Sequence, residues 1–242
     1  MSKAMKDDVA IVLLHGAGLG AWIWDDVLEN IAYRALAIDF PGRGIHADVP
    51  TKKLSLSKYV ESVYTDLKQL RSRKIIIVAH SISGILGLEL ANQLQDRLVG
   101  FIALGAVFPK ADGSFISSMP RMNGIILRIM LSLAGTKPPN SAIESSLCVG
   151  LDKRHSQEVI NRFIPESKKL YTDKVQKRLS IPHSLYVNLT QDRELTNKIQ
   201  QQMMENLRPD QIVDLKSGHL PMLSKPSELA RIVNNYAEFL CD

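Results

Sequence analysis

The sequence predicts an α/β domain: a mainly parallel sheet flanked by helices, with a helical cap inserted late in the chain. Three observations predict it. Short apolar runs, Val9 to Leu14, Ile75 to Val78, Val99 to Leu104 and Ser184 to Leu189, alternate with helical patterns. The composition, 242 residues with 45% hydrophobic and 23% charged, suits one large core rather than several small ones. Residues 109–180 carry helical patterns and no strand-like run, so the core is expected from 1–108 and 181–242 with 109–180 as the cap.

Taken in order, Val9 to Leu14 reads as a buried strand followed by the loop His15-Gly16-Ala17-Gly18-Leu19-Gly20. Its glycines alternate, so neither the dinucleotide fingerprint nor a phosphate loop is present. The alternative is a sharp loop that aims a backbone N–H, that of Ala17, at a substrate oxygen. Trp22 and Trp24 are expected to anchor the helix that follows. Arg34 to Asp39 reads as a second strand, closed by the tight loop Pro41-Gly42-Arg43-Gly44. Leu54 to Leu70 reads as an amphipathic helix through Tyr59, Val63, Leu67 and Leu70. After Phe108 come the Met-, Ile- and Leu-rich stretch Met119 to Leu133, a Pro138-Pro139 break, and helical segments over 141–151, 156–163 and 166–177. The sheet resumes at Ser184 to Leu189. Helix Asn197 to Leu207, strand Gln211 to Leu215 and helix Pro226 to Leu240 complete it.

Charge and cysteines bound the function. A formal charge of +5 is spread over helix surfaces without aromatic interleaving, which argues against nucleic acid as a partner. Val9 to Leu14 is too short for a signal or membrane segment, so no membrane partner is expected. Cys148 and Cys241 have neither metal nor disulfide spacing, which fits a reduced, cytoplasmic setting. The histidines show no metal-ligand spacing, so neither metal nor cofactor is expected.

The chemistry centres on Ile75 to Leu90, where four apolar strand residues pass into a helix within Ala79-His80-Ser81-Ile82-Ser83-Gly84. Such a turn holds its central residue, Ser81, in a strained conformation with the side chain above the sheet edge. The pattern departs from G-x-S-x-G: Ala79 and Ser83 stand at the glycine positions, and Gly84 follows. A serine hydroxyl needs a base within reach, and His219 follows a strand at the end where open α/β sheets place their sites. The imidazole in turn needs a carboxylate. Asp192, just past a strand, is preferred to Asp210, which precedes one, and to Glu194, two residues further on. His15 and His80 read as structural, and Asp25 and Asp39 as loop-capping groups.

These stretches, V-L-L-H-G-A-G-L-G-A-W-I-W, the serine elbow, the Asp192 turn and G-H-L-P-M-L-S-K-P, resemble the α/β-hydrolase superfamily. Within it they resemble the branch of plant methylesterases and hydroxynitrile lyases and its bacterial esterase relatives. The resemblance implies Ser81 as nucleophile, His219 as general base and then acid, Asp192 as orienting carboxylate, and an oxyanion hole from the N–H groups of Ala17 and Ile82. It implies a carboxylesterase acting on small esters, methyl esters among them. Lyases of this branch carry threonine after the first loop histidine and lysine after the catalytic one. Here Gly16 and Leu220 stand there, which disfavours cyanide chemistry. Lactone or thioester cleavage, cofactor-free oxygen chemistry, and a binding protein that keeps the triad with little turnover share the same residues. The cap carries no residue that announces a substrate, and a homodimer paired through cap helices is the assembly such proteins sometimes form.

Overall fold

A computed structural model describes residues 8–176, 181 and 183–241. Among the described residues six strands form one sheet: β1 (Val9–Leu14), β2 (Arg34–Ile38), β3 (Lys74–His80), β4 (Leu98–Leu104), β5 (Ser184–Leu189) and β6 (Gln211–Leu215). Their order is β2-β1-β3-β4-β5-β6 and every ladder is parallel. The inner strands β1 and β4 are apolar along their whole length, and β3 from Ile75 to Ala79, because both faces are covered; β1 is buried at every position and β3 at all but Lys74. The edge strand β6 instead alternates exposed and sheltered residues.

Successive side chains of one strand enter opposite cores, as the pleat demands. After α1, the single turn Asp25–Leu28, come α2 (Leu56–Leu67) and α3 (Ser83–Leu94), with which Ile75, Ile77, Phe101 and Ala103 pack. Ile76, Val78, Ile102 and Leu104 pack on the other side with the final long helix, Pro226–Phe239, through Leu229 and Val233. Helix α2 buries Tyr59, Val63 and Leu67, the stripe expected from the sequence, over a shorter span than the Leu54 to Leu70 pattern.

Between β4 and β5 the described residues are helical or irregular: α4 (Phe115–Ser118), α5 (Arg121–Leu133), α6 (Asn140–Ala142), which continues as a π-turn over Ile143–Leu147, α7 (Lys153–Asn161) and α8 (Lys168–Thr172). The pattern over 166–177 predicts more helix than forms. Ser167 caps α8 by accepting from the Lys169 N–H, Asp173 returns to extended backbone, and Glu166 is drawn into the interior. Part of the expected cap, 177–180, lies outside the described residues, as does the polar start 1–7. Trp24 is fully buried, as an anchor should be, while Trp22 is only half-buried and lies under the Arg162 guanidinium, 4.1 Å from its ring centroid.

Candidate active site

The sheet order reverses between β1 and its two neighbours, so the chain leaves β1 and β3 in adjacent positions and continues in opposite directions. A crevice opens at the carboxyl ends of such a pair. Here the loop after β1 and the turn after β3 face one another, with Leu14 beside Ala79 in the ladder.

Ser81 occupies that turn with φ +57°, a left-handed conformation that residues other than Gly, Asn and Asp seldom adopt. The strain is held by β4 and the loop beyond it: Ser81 N–H donates to Leu104 O at 3.2 Å, and Val107 N–H donates to Ser81 O at 2.9 Å. Helix α3 begins two residues later, so its positive end lies beside the hydroxyl. Ser83 donates its hydroxyl to the His15 carbonyl, which ties the two facing loops together. Gly84 explains the unusual motif. A β-carbon there would lie 2.4 Å from Val107 O, so the close approach that demands glycine falls one position after Ser83.

His219 and Asp192 come from the ends of the adjacent strands β6 and β5. The imidazole Nδ1 lies 2.6 Å from Asp192 Oδ2, and both side chains are essentially inaccessible to water. Asp192 Oδ1 accepts the N–H groups of Glu194 at 2.7 Å and Leu195 at 3.0 Å, so both carboxylate oxygens are engaged. Burial opposes the imidazolium, but the Asp192 charge and its hydrogen bond outweigh burial and lift His219 above the ordinary histidine value. Gln200, which sequence reasoning missed, is fully buried and staples this turn: it accepts from Leu189 N–H and donates to the carbonyls of Leu189 and Leu195. A glutamine on an apolar helix face three residues after a polar loop is the signal that could have found it.

The rival acids fall elsewhere. Asp210 accepts from Ser184 N–H at the opposite end of β5. Glu194 lines the cavity beside Ser81 without touching His219 Nδ1, which Asp192 holds. Asp39 accepts from Ala21 N–H, the loop-capping role expected of it.

His15 and His80 are both buried and held well below the ordinary histidine value, burial being the main cause for each. His15 binds Gly16 O through Nδ1 at 2.8 Å and accepts Phe40 N–H at Nε2, which makes it the Nδ1–H tautomer. His80 reaches the His219 carbonyl through Nε2 at 2.8 Å, a contact across 139 residues. Both are structural, yet His80 touches the site itself.

Ser81, His219, Ala17 and Ile82 all line one cavity of about 480 Å³. Its remaining wall is mostly apolar, with Phe115, Leu127, Leu131, Ile143, Phe163 and Leu195 prominent, most of them from the helical excursion. Among the described residues, no group of three or more acidic, histidine or cysteine side chains is placed to hold a metal, and no helix is long and apolar enough to cross a membrane.

A family model described as the alpha/beta hydrolase family matches residues 11–232, which is most of the chain. The chain belongs to that family. Among curated relatives of this alpha/beta hydrolase family member, putative methylesterase 11, chloroplastic, from Arabidopsis thaliana is 25% identical over 92% of the chain and 62% of its own length. Methylesterase 10 from the same plant is 23% identical over 93% of the chain and 90% of its own length. The chain therefore spans less than two thirds of the first relative and nearly all of the second. An extracellular alpha/beta-hydrolase from a Paenibacillus species superposes with a TM-score of 0.83 at 18% identity, covering 94% of this chain and 98% of that one. The fold likeness thus extends over the helical excursion as well as the sheet.

Proposed function

We propose that this alpha/beta hydrolase family member is a carboxylesterase, acting on small and medium apolar esters, methyl esters among them, through an acyl-Ser81 intermediate. The observation that carries the reading is the buried Asp192–His219 pair at the wall of a cavity that also holds Ser81 in its left-handed turn. Similarity to plant methylesterases supports the ester class.

The steps follow from the groups present. Asp192 fixes the proton of His219 on Nδ1, which leaves Nε2 to take the Ser81 proton as Oγ attacks the ester carbonyl. The carbonyl π-pair moves onto oxygen, where the N–H groups of Ala17 and Ile82 receive it. Neither amide has an acceptor among the described residues. As the tetrahedral intermediate collapses, the C–O bond to the alcohol breaks and His219 returns its proton to the leaving oxygen. Water, deprotonated by the same imidazole, then attacks the acyl-serine, and the acid leaves as Ser81 regains its proton. The mostly apolar wall favours uncharged acyl and alkyl groups.

Intact mass after fluorophosphonate treatment, beside an ester panel, tests this. One adduct on the protein and none on Ser81→Ala, with multiple turnover, is the expected result. A stable ester complex without turnover would instead favour a triad-retaining binding protein.

The reading includes two further parts. Self-association is supported by the outward stripe of α5, Met122, Ile125, Ile129 and Leu133, each more than half exposed; sedimentation velocity should then give a dimer that Ile129→Glu dissociates. A reducing, cytoplasmic setting is supported by the buried free thiol of Cys148, and fractionation of the native cell tests it.

A further inference from the structure

An ion pair lies buried where the helical excursion meets the loop after β1. Arg43 Nη2 is 2.7 Å from Glu166 Oε1, with side-chain exposures of 3% and 0%. Tyr59 donates its hydroxyl to Glu166 Oε2 at 2.8 Å and accepts the Ser167 N–H at 3.0 Å. A buried pair of this kind is weak as a source of stability, since desolvation offsets most of the attraction and apolar residues of equal volume often serve better. Its partners suggest another use.

Five backbone groups of residues 16–19 have partners that fix the loop. Gly18 N–H donates to Glu166 Oε1 at 3.2 Å, and Gly18 O accepts the Ile164 N–H at 3.0 Å. Leu19 O accepts from Arg43, and Leu19 N–H donates to Gly16 O. Gly16 O also takes the His15 Nδ1 proton, so the peptide that joins Gly16 to Ala17 is pinned by its oxygen with its N–H on the other side. Phe163 seals the loop from above, within 2.1 Å of where a β-carbon on Gly18 would stand. Segment 163–167 therefore holds both polar groups of Gly18, and Arg43 joins that segment to Leu19.

We propose that Arg43, Glu166 and Tyr59 are positioning residues that clamp the loop after β1 to the helical excursion, so that Ala17 N–H faces the acyl oxygen only while segment 163–167 is seated. Seating the excursion and completing the oxyanion hole are then one event. The proposal rests on the esterase reading for its catalytic consequence, while the clamp itself is a property of the loop.

The test measures kcat and KM on p-nitrophenyl butyrate, and hydrogen–deuterium exchange over 15–20, for the wild type, Glu166→Gln, Arg43→Met and their double variant. Loss of one oxyanion donor costs roughly 100- to 1,000-fold in kcat, and a displaced donor somewhat less. Glu166→Gln is expected to lower kcat about 10- to 100-fold, with KM within about threefold and faster exchange over 15–20. The double variant should be no worse than the worse single, since removing both charges leaves none unpaired. Should Arg43→Met fail to fold, Tyr59→Phe removes one contact to Glu166 and should move kcat and exchange in the same direction by a smaller factor. Unchanged kcat in folded Glu166→Gln, a loss carried by KM, or unchanged exchange over 15–20 overturns the proposal. A wild type without turnover overturns the esterase reading instead, and the exchange comparison alone then decides the clamp.

Discussion

The imidazole of His80 fills the space that a side chain at position 16 would need. A β-carbon built on Gly16 would stand 2.9 Å from His80 Nδ1 and 3.1 Å from Ser81 Cβ. His80 cannot swing aside without giving up its bond to the His219 carbonyl. Gly16→Ala is therefore expected to cost about 1–3 kcal/mol of stability by overpacking. In urea titrations the Gly16→Ala/His80→Ala double variant should depart from additivity by more than about 0.5 kcal/mol, because the two sites collide directly. Additive losses would refute the contact. Threonine at 16 would meet the same side chain with more atoms and is expected to cost more than alanine.

Ser81→Ala should abolish fluorophosphonate labelling and lower kcat by several orders of magnitude while leaving the melting temperature almost unchanged. Alanine suffers the same left-handed strain as serine, and the bonds through which Ser81 itself holds the turn are backbone ones. Turnover within tenfold of wild type would displace Ser81 as nucleophile.

In the proposed mechanism His219 must be neutral to act as base, and its affinity for a proton is raised by Asp192. The acid limb of kcat/KM is expected to have its midpoint above the ordinary histidine value of about 6.5. Asp192→Asn should shift that limb downward and reduce kcat by about 10,000-fold through loss of the correct tautomer. A limb that stays in place in Asp192→Asn would separate the two residues.

Stability should fall in acid for a different reason. His15 and His80 are depressed by burial, so below about pH 6.5 the unfolded chain binds protons that the folded chain refuses. Their contribution is present above that value and is lost as pH falls, by up to about 2.7 kcal/mol per pH unit for two such protons. His219 runs oppositely: its contribution is complete below about 6.5 and fades as pH rises through its raised value. Urea midpoints between pH 7 and 5 check this; a flat profile would mean that both buried histidines take up their protons without unfolding.

Much of this was legible in the sequence because period and punctuation carry it. Ile75 to Val78 is a continuous apolar run because β3 is covered on both faces, and Asp192 and His219 follow strand ends that the pattern locates to the residue. The serine motif was harder to read. Its glycine requirement sits at Gly84, opposite Val107, and no local rule places a distant carbonyl there. Arg43 and Glu166 were illegible for a related reason. Each looks like an ordinary surface charge, and only the fold brings them together across 123 residues into a dry interior. Helical period likewise overran the true ends of the segment at 166–177, where one buried carboxylate outweighs propensity.

The all-parallel sheet also sets the order in which the chain can become itself. No two neighbouring strands are joined by a hairpin, so each ladder must wait for a crossover to be laid down, and contacts of low sequence separation offer little early reward. β5 can pair with β4 only after the long excursion has been spanned, and β6 brings His219 last. The awkward turn at Ser81 is thus borne by β3 and β4 before its histidine arrives. On the esterase reading proposed above, a nascent chain is in that sense inert: it carries Ser81 from early on, and acquires His219 only when the sheet is complete.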